Sequence, residues 1–394
     1  MRGAEIFKIA MSSIEQNGHK GGLIEALVLV LMGIGTLFVF SAGANISIDY
    51  DLEHFYDFAP LKQVLFFPLA VLVLYLCSRL DYEKFGFEVS SPAKSFLTYL
   101  LILAIVLLIL VLVPGIGVQK HGARRWLDIC PGPVYVSFQP SELAKWTVVF
   151  FLAAIVVRLS DTIRLYWKGF IFICLFPGLV VALIVTQDFG TSAFIVLLTF
   201  LMLLIGGARW WHFLTPLPVT AVAFYAAIVS SPTRVNRIKS FINPEAISYQ
   251  ARQSLIAIST GGIWGKGLGK GICKYGHVPE DTTDFVFAII AEELGFAGAA
   301  LVIAIFIAFV VCGMIIVIRC RDRFGRLLAA GIVLTIALQA AINIGVTMVV
   351  LPTKGIPLPF LSAGGTSMLL SAAAVGVLIN IAKQTDRQNK IPGS

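Results

Sequence analysis

Three carboxylates fall within five positions at Glu280, Asp281 and Asp284, in the stretch Val278-Pro-Glu-Asp-Thr-Thr-Asp284. A carboxylate at the rim of a cavity can take a proton from a hydroxyl, which is the work of a general base. Cations crowd the chain just before them: Arg234, Arg237, Lys239, Arg252, Lys266, Lys270 and Lys274. A second basic group, Lys120, Arg124 and Arg125, lies upstream, and Lys354 lies downstream in Leu351-Pro-Thr-Lys-Gly-Ile-Pro-Leu-Pro-Phe360. Arg and Lys hold phosphate oxygens through charge-assisted hydrogen bonds. The same cations would also suit anionic lipid headgroups, so residue types alone leave both readings open. Asp284 has a bland alternative too, as the N-cap of the helix that follows it.

Three further ionisable residues stand in apolar surroundings. Phe138-Gln-Pro-Ser-Glu-Leu-Ala-Lys145 reads as a helix start, with Pro140 and Ser141 in favoured opening positions. Glu142 then falls in the first turn, where the helix dipole favours an anion. Lys145 lies one turn further along the same face. A cation inside an apolar span marks a functional site and requires a partner, either Glu142 or Asp188. Asp188, in Gln187-Asp-Phe-Gly190, reads equally as an N-cap or as a cavity residue. Six glycines lie between positions 261 and 271, around Lys266 and Lys270. Such a run can form an anion-binding nest of backbone N–H groups, and simple turn flexibility explains it as well. No P-loop or dinucleotide fingerprint is present. No CxxC and no histidine cluster suggests a metal site.

The elements that must position these residues are membrane helices. Of 394 residues, 58% are hydrophobic and 13% charged, and the mean hydropathy is +0.89. Those values exclude a soluble enzyme, a disordered chain and a fibrous repeat. Apolar runs long enough to span a bilayer occur at about 22–44, 61–79, 95–113, 141–158, 169–187, 190–207, 210–230, 295–318, 327–350 and 364–382. The expected fold is therefore an all-α polytopic membrane protein with ten transmembrane helices. Its long extracellular loop, at about 231–294, joins helices seven and eight. Residues 1–21 form a cytoplasmic N-terminal segment, 22–382 the ten-span domain and 383–394 a cytoplasmic tail. Lys and Arg in the even-side loops put both termini in the cytoplasm. The net charge of +8 is read as topology plus an external anion site, not as nucleic-acid contact. A helix running straight from 285 to 318 would be ~50 Å long. That exceeds the bilayer core, so 285–293 is expected to stand at or above the membrane surface, with a bend at Gly295. Cys130 and Cys273 fall on the external side, where they could pair.

Six motifs in order carry a resemblance to a known family: Ala123-Arg-Arg-Trp126, Phe138-Gln-Pro-Ser-Glu-Leu-Ala-Lys145, Gln187-Asp-Phe-Gly-Thr-Ser192, the block from Tyr249 through Gly271, Val278 through Gly295, and Ile342 through Ser367. Together they run from about residue 120 to 370. They resemble the shape, elongation, division and sporulation family, typified by RodA, FtsW and SpoVE. Leu-Pro-Thr-Lys-Gly355 is more similar to the division branch than to the elongation branch.

The resemblance implies a peptidoglycan glycosyltransferase of the bacterial cytoplasmic membrane. Its substrate would be lipid II, a disaccharide-pentapeptide on undecaprenyl pyrophosphate, and its partner a class B penicillin-binding protein. Asp284 matches the family's essential aspartate; Glu142, Lys145 and Asp188 match polar positions of its central cavity. With Arg124, Arg125, Arg234, Arg237, Lys266, Lys270, Glu280 and Lys354 they make up the expected site. A divalent cation, Mg or Mn, is compatible with a pyrophosphate leaving group, although no motif demands one. Two departures are visible: Thr282-Thr-Asp284 stands where the family has His-Thr-Asp, and Ser362-Ala-Gly-Gly365 where it has Ser-Tyr-Gly-Gly. The competing expectations are a transporter of the same lipid, with Glu142, Lys145 and Asp188 as its polar path, and a non-enzymatic scaffold for a transpeptidase.

Overall fold

The computed structural model describes residues 20–43, 59–86, 95–120, 123–128, 137–243, 247–272 and 284–390. Glu280, Lys274 and the Cys130–Cys273 pair lie outside the described residues. Within them the chain is mostly helical: α1 (Lys20–Gly43), α2 (Ala59–Cys77), α3 (Phe96–Leu112), α4 (Pro140–Arg158), α5 (Phe172–Ile184), α6 (Phe189–Ile205), α7 (Pro216–Val229), α8 (Pro232–Ile242), α9 (Tyr249–Gly261), α10 (Val286–Arg319), α11 (Arg323–Thr347) and α12 (Gly365–Lys390). Helices are the economical solution in a bilayer, because each satisfies its own backbone hydrogen bonds. Seven helical stretches among the described residues are long and apolar enough to cross a membrane: Gly21–Ala42, Pro140–Arg158, Tyr166–Ile184, Trp210–Val229, Val286–Arg319, Arg323–Thr347 and Gly365–Gln388. Three shorter apolar helices, Leu61–Cys77, Phe96–Leu112 and Phe189–Ile205, lie at the other expected positions.

The all-α expectation needs one correction. The segment after α3 forms a small antiparallel sheet, with β1 (Gly117–Lys120), β2 (Ala123–Asp128) and β3 (Ser137–Phe138) in that order. The β1–β2 hairpin pairs Val118 with Trp126 and Gln119 with Arg124, with an irregularity between Val118 and Gln119. The irregularity falls at Arg125, which has no partner on β1 while Arg124 and Trp126 on either side of it are paired, and such a bulge re-aims a side chain relative to its neighbour.

α4 is the axis of the bundle. Its residues from Pro140 to Val156 are buried, apart from Leu143 and Phe150, and it packs against α3, α6 and α11. A helix surrounded by other helices carries its polar residues into the protein and not into lipid. At the other extreme, none of the residues of α7 is buried.

α10 is broken where expected. Gly295 has φ 69° and ψ −167° inside the helix, a backbone region open essentially to glycine alone. Four backbone groups beside the break pair with the glycine-rich loop after α9. Lys266 N and Gly267 N donate to the carbonyls of Glu292 and Glu293 at 3.0 and 2.9 Å. Phe296 N and Ala297 N donate to the carbonyls of Gly262 and Ile263 at 2.9 and 3.1 Å. The approach is so close that a β-carbon on Gly265 would lie 2.1 Å from Glu293 O, and one on Gly295 would lie 2.3 Å from Gly265 N. The segment before the break is packed into the protein. Every residue from Val286 to Glu293 is buried, because α9 and the loop cover it.

Candidate active site

Asp284 lies just before α10, in the turn that leads into it. The N-cap position belongs to Phe285, without a side-chain cap bond, so capping does not account for the aspartate. Its carboxylate sits against the proline-rich segment between α11 and α12. A β-carbon built on Gly355 would lie 3.1 Å from Asp284 Oδ2. That segment keeps its shape through buried bonds: Ser362 Oγ accepts from Leu358 N at 2.7 Å, and Phe360 takes a left-handed φ of 67°.

The carboxylate opens onto a cavity of about 380 Å³ lined by residues from α4, α6, α8, α9, α11, the β-sheet and the proline-rich segment. Arg125, Arg237 and Lys354 line it, together with Lys145. Arg125 donates from Nε to the carbonyl of Gln187 at 2.9 Å and lies 3.9 Å from Asp188 Oδ2. Asp188 takes the first of its two expected roles and is not among the residues that line the cavity. It caps α6, accepting from Thr191 N and Thr191 Oγ1 at 3.1 and 3.0 Å, and it stands beside the cations. Lys354 Nζ lies 5.2 Å from the centre of the Phe189 ring. Burial lowers the Lys354 pKa from the ordinary 10.5, and Asp188 offsets part of that shift. Its charge is therefore present below the lowered pKa and is lost at a lower pH than that of an exposed lysine.

The cavity floor carries the expected ion pair. Lys145 Nζ donates to Glu142 Oε2 at 2.8 Å and to Gln339 Oε1 at 2.9 Å, and only 2% of Lys145 is exposed. Partnering a buried charge with both an anion and an amide limits its desolvation cost. Gln339 then donates from Nε2 to the carbonyl of Pro357 at 2.9 Å, tying the pair to the proline-rich segment.

Besides Asp188, four sequence-derived candidates do not line the cavity. Arg124 does not line the cavity; its backbone N–H donates to Gln187 Oε1 at 2.9 Å. Arg234 fastens α8 to the carbonyl ends of α7 and α5, donating to Ala227 O at 2.8 Å and to Thr186 O. Burial and the nearby Arg125 and Arg237 depress its ionisation, while Asp188 supports it; it is a crowded structural cation next to the site. Lys266 pairs with the fully buried Glu292 at 2.6 Å and does not line the cavity. Lys270 is exposed outside the cavity. The glycine loop is a nest for the protein's own anions: Gly269 N donates to Glu293 Oε2 and Ile272 N to Glu292 Oε1, each at 3.0 Å.

Several cavity residues escaped the sequence reading: Trp126, Gln139, Thr191, Gln250, Gln339 and Gly355. A signal for the α11 residues was present. Thr335, Gln339, Asn343 and Thr347 recur every four residues in an otherwise apolar span, and all four are at most 2% exposed. A metal-holding arrangement is not among the described residues: no group of three or more His, Cys, Asp or Glu side chains is placed to bind one. Glu142 and Asp188 each already have protein partners.

A family model described as "Cell cycle protein", FTSW_RODA_SPOVE, matches residues 22–387. The "Probable peptidoglycan glycosyltransferase FtsW" of Coxiella burnetii is 35% identical over 371 residues, covering 91% of this chain and 95% of that one. Stage V sporulation protein E of Bacillus subtilis is 34% identical over 371 residues, covering 92% and 96%. Among solved structures, a chain of a peptidoglycan synthase complex superposes with a TM-score of 0.70 at 23% identity, covering 92% of this chain and 97% of that one. The rod shape determining protein RodA of Thermus thermophilus gives 0.62 at 23% identity, covering 92% and 96%.

Proposed function

Because the chain belongs to the FtsW, RodA and SpoVE family of cell cycle proteins, we infer that it is a peptidoglycan glycosyltransferase of the bacterial inner membrane in which Asp284 is the general base. The substrate is lipid II, serving as both donor and acceptor. The 4-hydroxyl of the acceptor sugar attacks the anomeric carbon of the donor. As the new oxygen–carbon bond forms, the bond from that carbon to the phosphate oxygen breaks. The hydroxyl proton passes to Asp284, and the bonding electrons leave with undecaprenyl pyrophosphate. One displacement turns an α-linked donor into a β-1,4 link with no covalent intermediate.

The observation that carries this reading is that Asp284 and the cations Arg125, Arg237 and Lys354 line one and the same cavity. Proton transfer to a placed base is worth ~10²–10⁴-fold. Cations aimed at the departing diphosphate stabilise the charge that develops there. A transporter would need a polar path through the bundle, whereas Lys145 and Glu142 are closed into a buried pair.

Within the same reading the seven long and three shorter apolar helices make ten crossings, with both termini in the cytoplasm. The large external segment then lies between the seventh and eighth, and a class B penicillin-binding protein crosslinks the strands made here.

Asp284→Asn is the direct test, since it keeps the shape and removes the base. The purified variant should stay folded and lose glycan polymerisation from lipid II by on the order of 10²-fold or more. Polymerisation at the wild-type rate would end the assignment.

A further inference from the structure

Asn343 sits on α11, 1% exposed and outside the cavity lining. Its Nδ2 donates twice, to the backbone carbonyl of Asp284 at 2.9 Å and to that of Ile356 at 2.8 Å. Both amide hydrogens are thereby used on acceptors. The two carbonyls fix which end of the side chain is nitrogen, because an oxygen there would face two other oxygens. Among the described residues Asn343 Oδ1 has no hydrogen-bond partner. A membrane helix thus carries a buried amide whose acceptor half is idle and whose donor half joins two distant strands of chain.

Those strands are the ones that meet at the candidate base. Ile356 follows Gly355, whose missing side chain leaves room for the Asp284 carboxylate. One turn before Asn343 on α11, Gln339 makes the parallel connection from Lys145 to Pro357. On the far side, Thr347 O accepts from Ser254 Oγ of α9 at 2.7 Å. α11 therefore acts as a spine whose one polar stripe bonds to α4, α9, the proline-rich segment and the turn at Asp284.

We propose that Asn343 is a positioning residue for glycosyl transfer: its doubly donating amide sets the distance between the Asp284 carboxylate and the Gly355–Ile356 backbone, and so aims the base at the acceptor hydroxyl. The inference rests on Asp284 being the base. Asn343 touches no substrate and acts through Asp284 alone. Small displacements of a catalytic group are costly, on the order of 10²-fold for 1 Å.

The test is a graded series in the full-length purified protein, with lipid II as substrate. Asn343→Ser keeps one donor and Asn343→Leu keeps none. The turnover number should fall in the order Asn, Ser, Leu, by on the order of 10- to 100-fold overall. KM for lipid II should stay nearly constant, and the acid limb of the turnover–pH profile should move. A loss confined to KM, or a fall in turnover with an unmoved acid limb, would overturn the proposal. So would failure of both variants to fold, which would assign Asn343 to the scaffold alone. Asp284→Asn is run in parallel. Wild-type polymerisation by that variant would sink the base reading itself, whereas an inactive Asp284→Asn beside a fully active Asn343→Ser would sink only the positioning role.

Discussion

In the middle of the bundle Lys145 Nζ is bonded to both Glu142 Oε2 and Gln339 Oε1. Removing one partner of such a pair leaves a bare buried charge, at a cost of ~3–5 kcal/mol. Lys145→Met should therefore lower the unfolding temperature in detergent markedly, while the double change Lys145→Met with Glu142→Leu should recover most of the loss. A double variant that is stable but inactive assigns the pair to substrate handling; one as unstable as the single variant shows that the pair's mutual attraction is not what matters. Lys145 was legible in the sequence because an ionisable residue in an apolar span demands a partner. Gln339 and Asn343 passed unnoticed because neutral amides in a span raise no comparable alarm. Lys266 was misread for a different reason. A cation among glycines looks like an anion site, and nothing local reveals that its anion is Glu292, supplied by the next helix.

At the scale of elements, the broken helix α10 and the loop that crosses it form one unit. Length alone foretold the break, since one straight rod from 285 to 318 outruns the bilayer. The crossing itself was hidden, because backbone pairing between a loop and a helix leaves no pattern in side-chain types. Gly295→Ala would force a β-carbon to within 2.3 Å of Gly265 N in a conformation that costs a non-glycine residue ~1–3 kcal/mol before any clash. The variant should yield little folded protein, and what survives should show accelerated amide exchange at Lys266, Gly267, Phe296 and Ala297. Unchanged exchange at those four positions would disprove the crossing. The sheet was missed because β3 is two residues long and β1 four, too short for a period-two pattern to stand out. That omission mattered. The bulge at Arg125 sets that residue, which lines the cavity, apart from its paired neighbour Arg124.

For the whole molecule, hydropathy sufficed to find the bundle, since the apolar helices fall close to the spans read from the sequence. It could not rank the helices by burial: α4 is enclosed by its neighbours and α7 by none, though both read as apolar spans. The proposed orientation can be checked directly. Leu268 is 55% exposed in the glycine loop, and Arg321 is exposed in the turn between α10 and α11. In a background with the native cysteines replaced, Leu268→Cys should react with a membrane-impermeant maleimide in intact spheroplasts, and Arg321→Cys only after lysis. The reverse pattern would invert the topology and move Asp284 to the wrong face for an external sugar.

The crossing at Gly295 joins residues close in sequence, Gly262 to Ala297, and so can close as soon as that stretch has been synthesised. The bonds made by the α11 stripe are of another kind. Lys145 must wait for Gln339, 194 positions later, and Asp284 for an asparagine made 59 residues after it. With Asp284 as the proposed base, a chain emerging from the ribosome would close the crossing at Gly295 first and the bonds around the Asp284 turn last, once both α11 and the segment carrying Ile356 have followed.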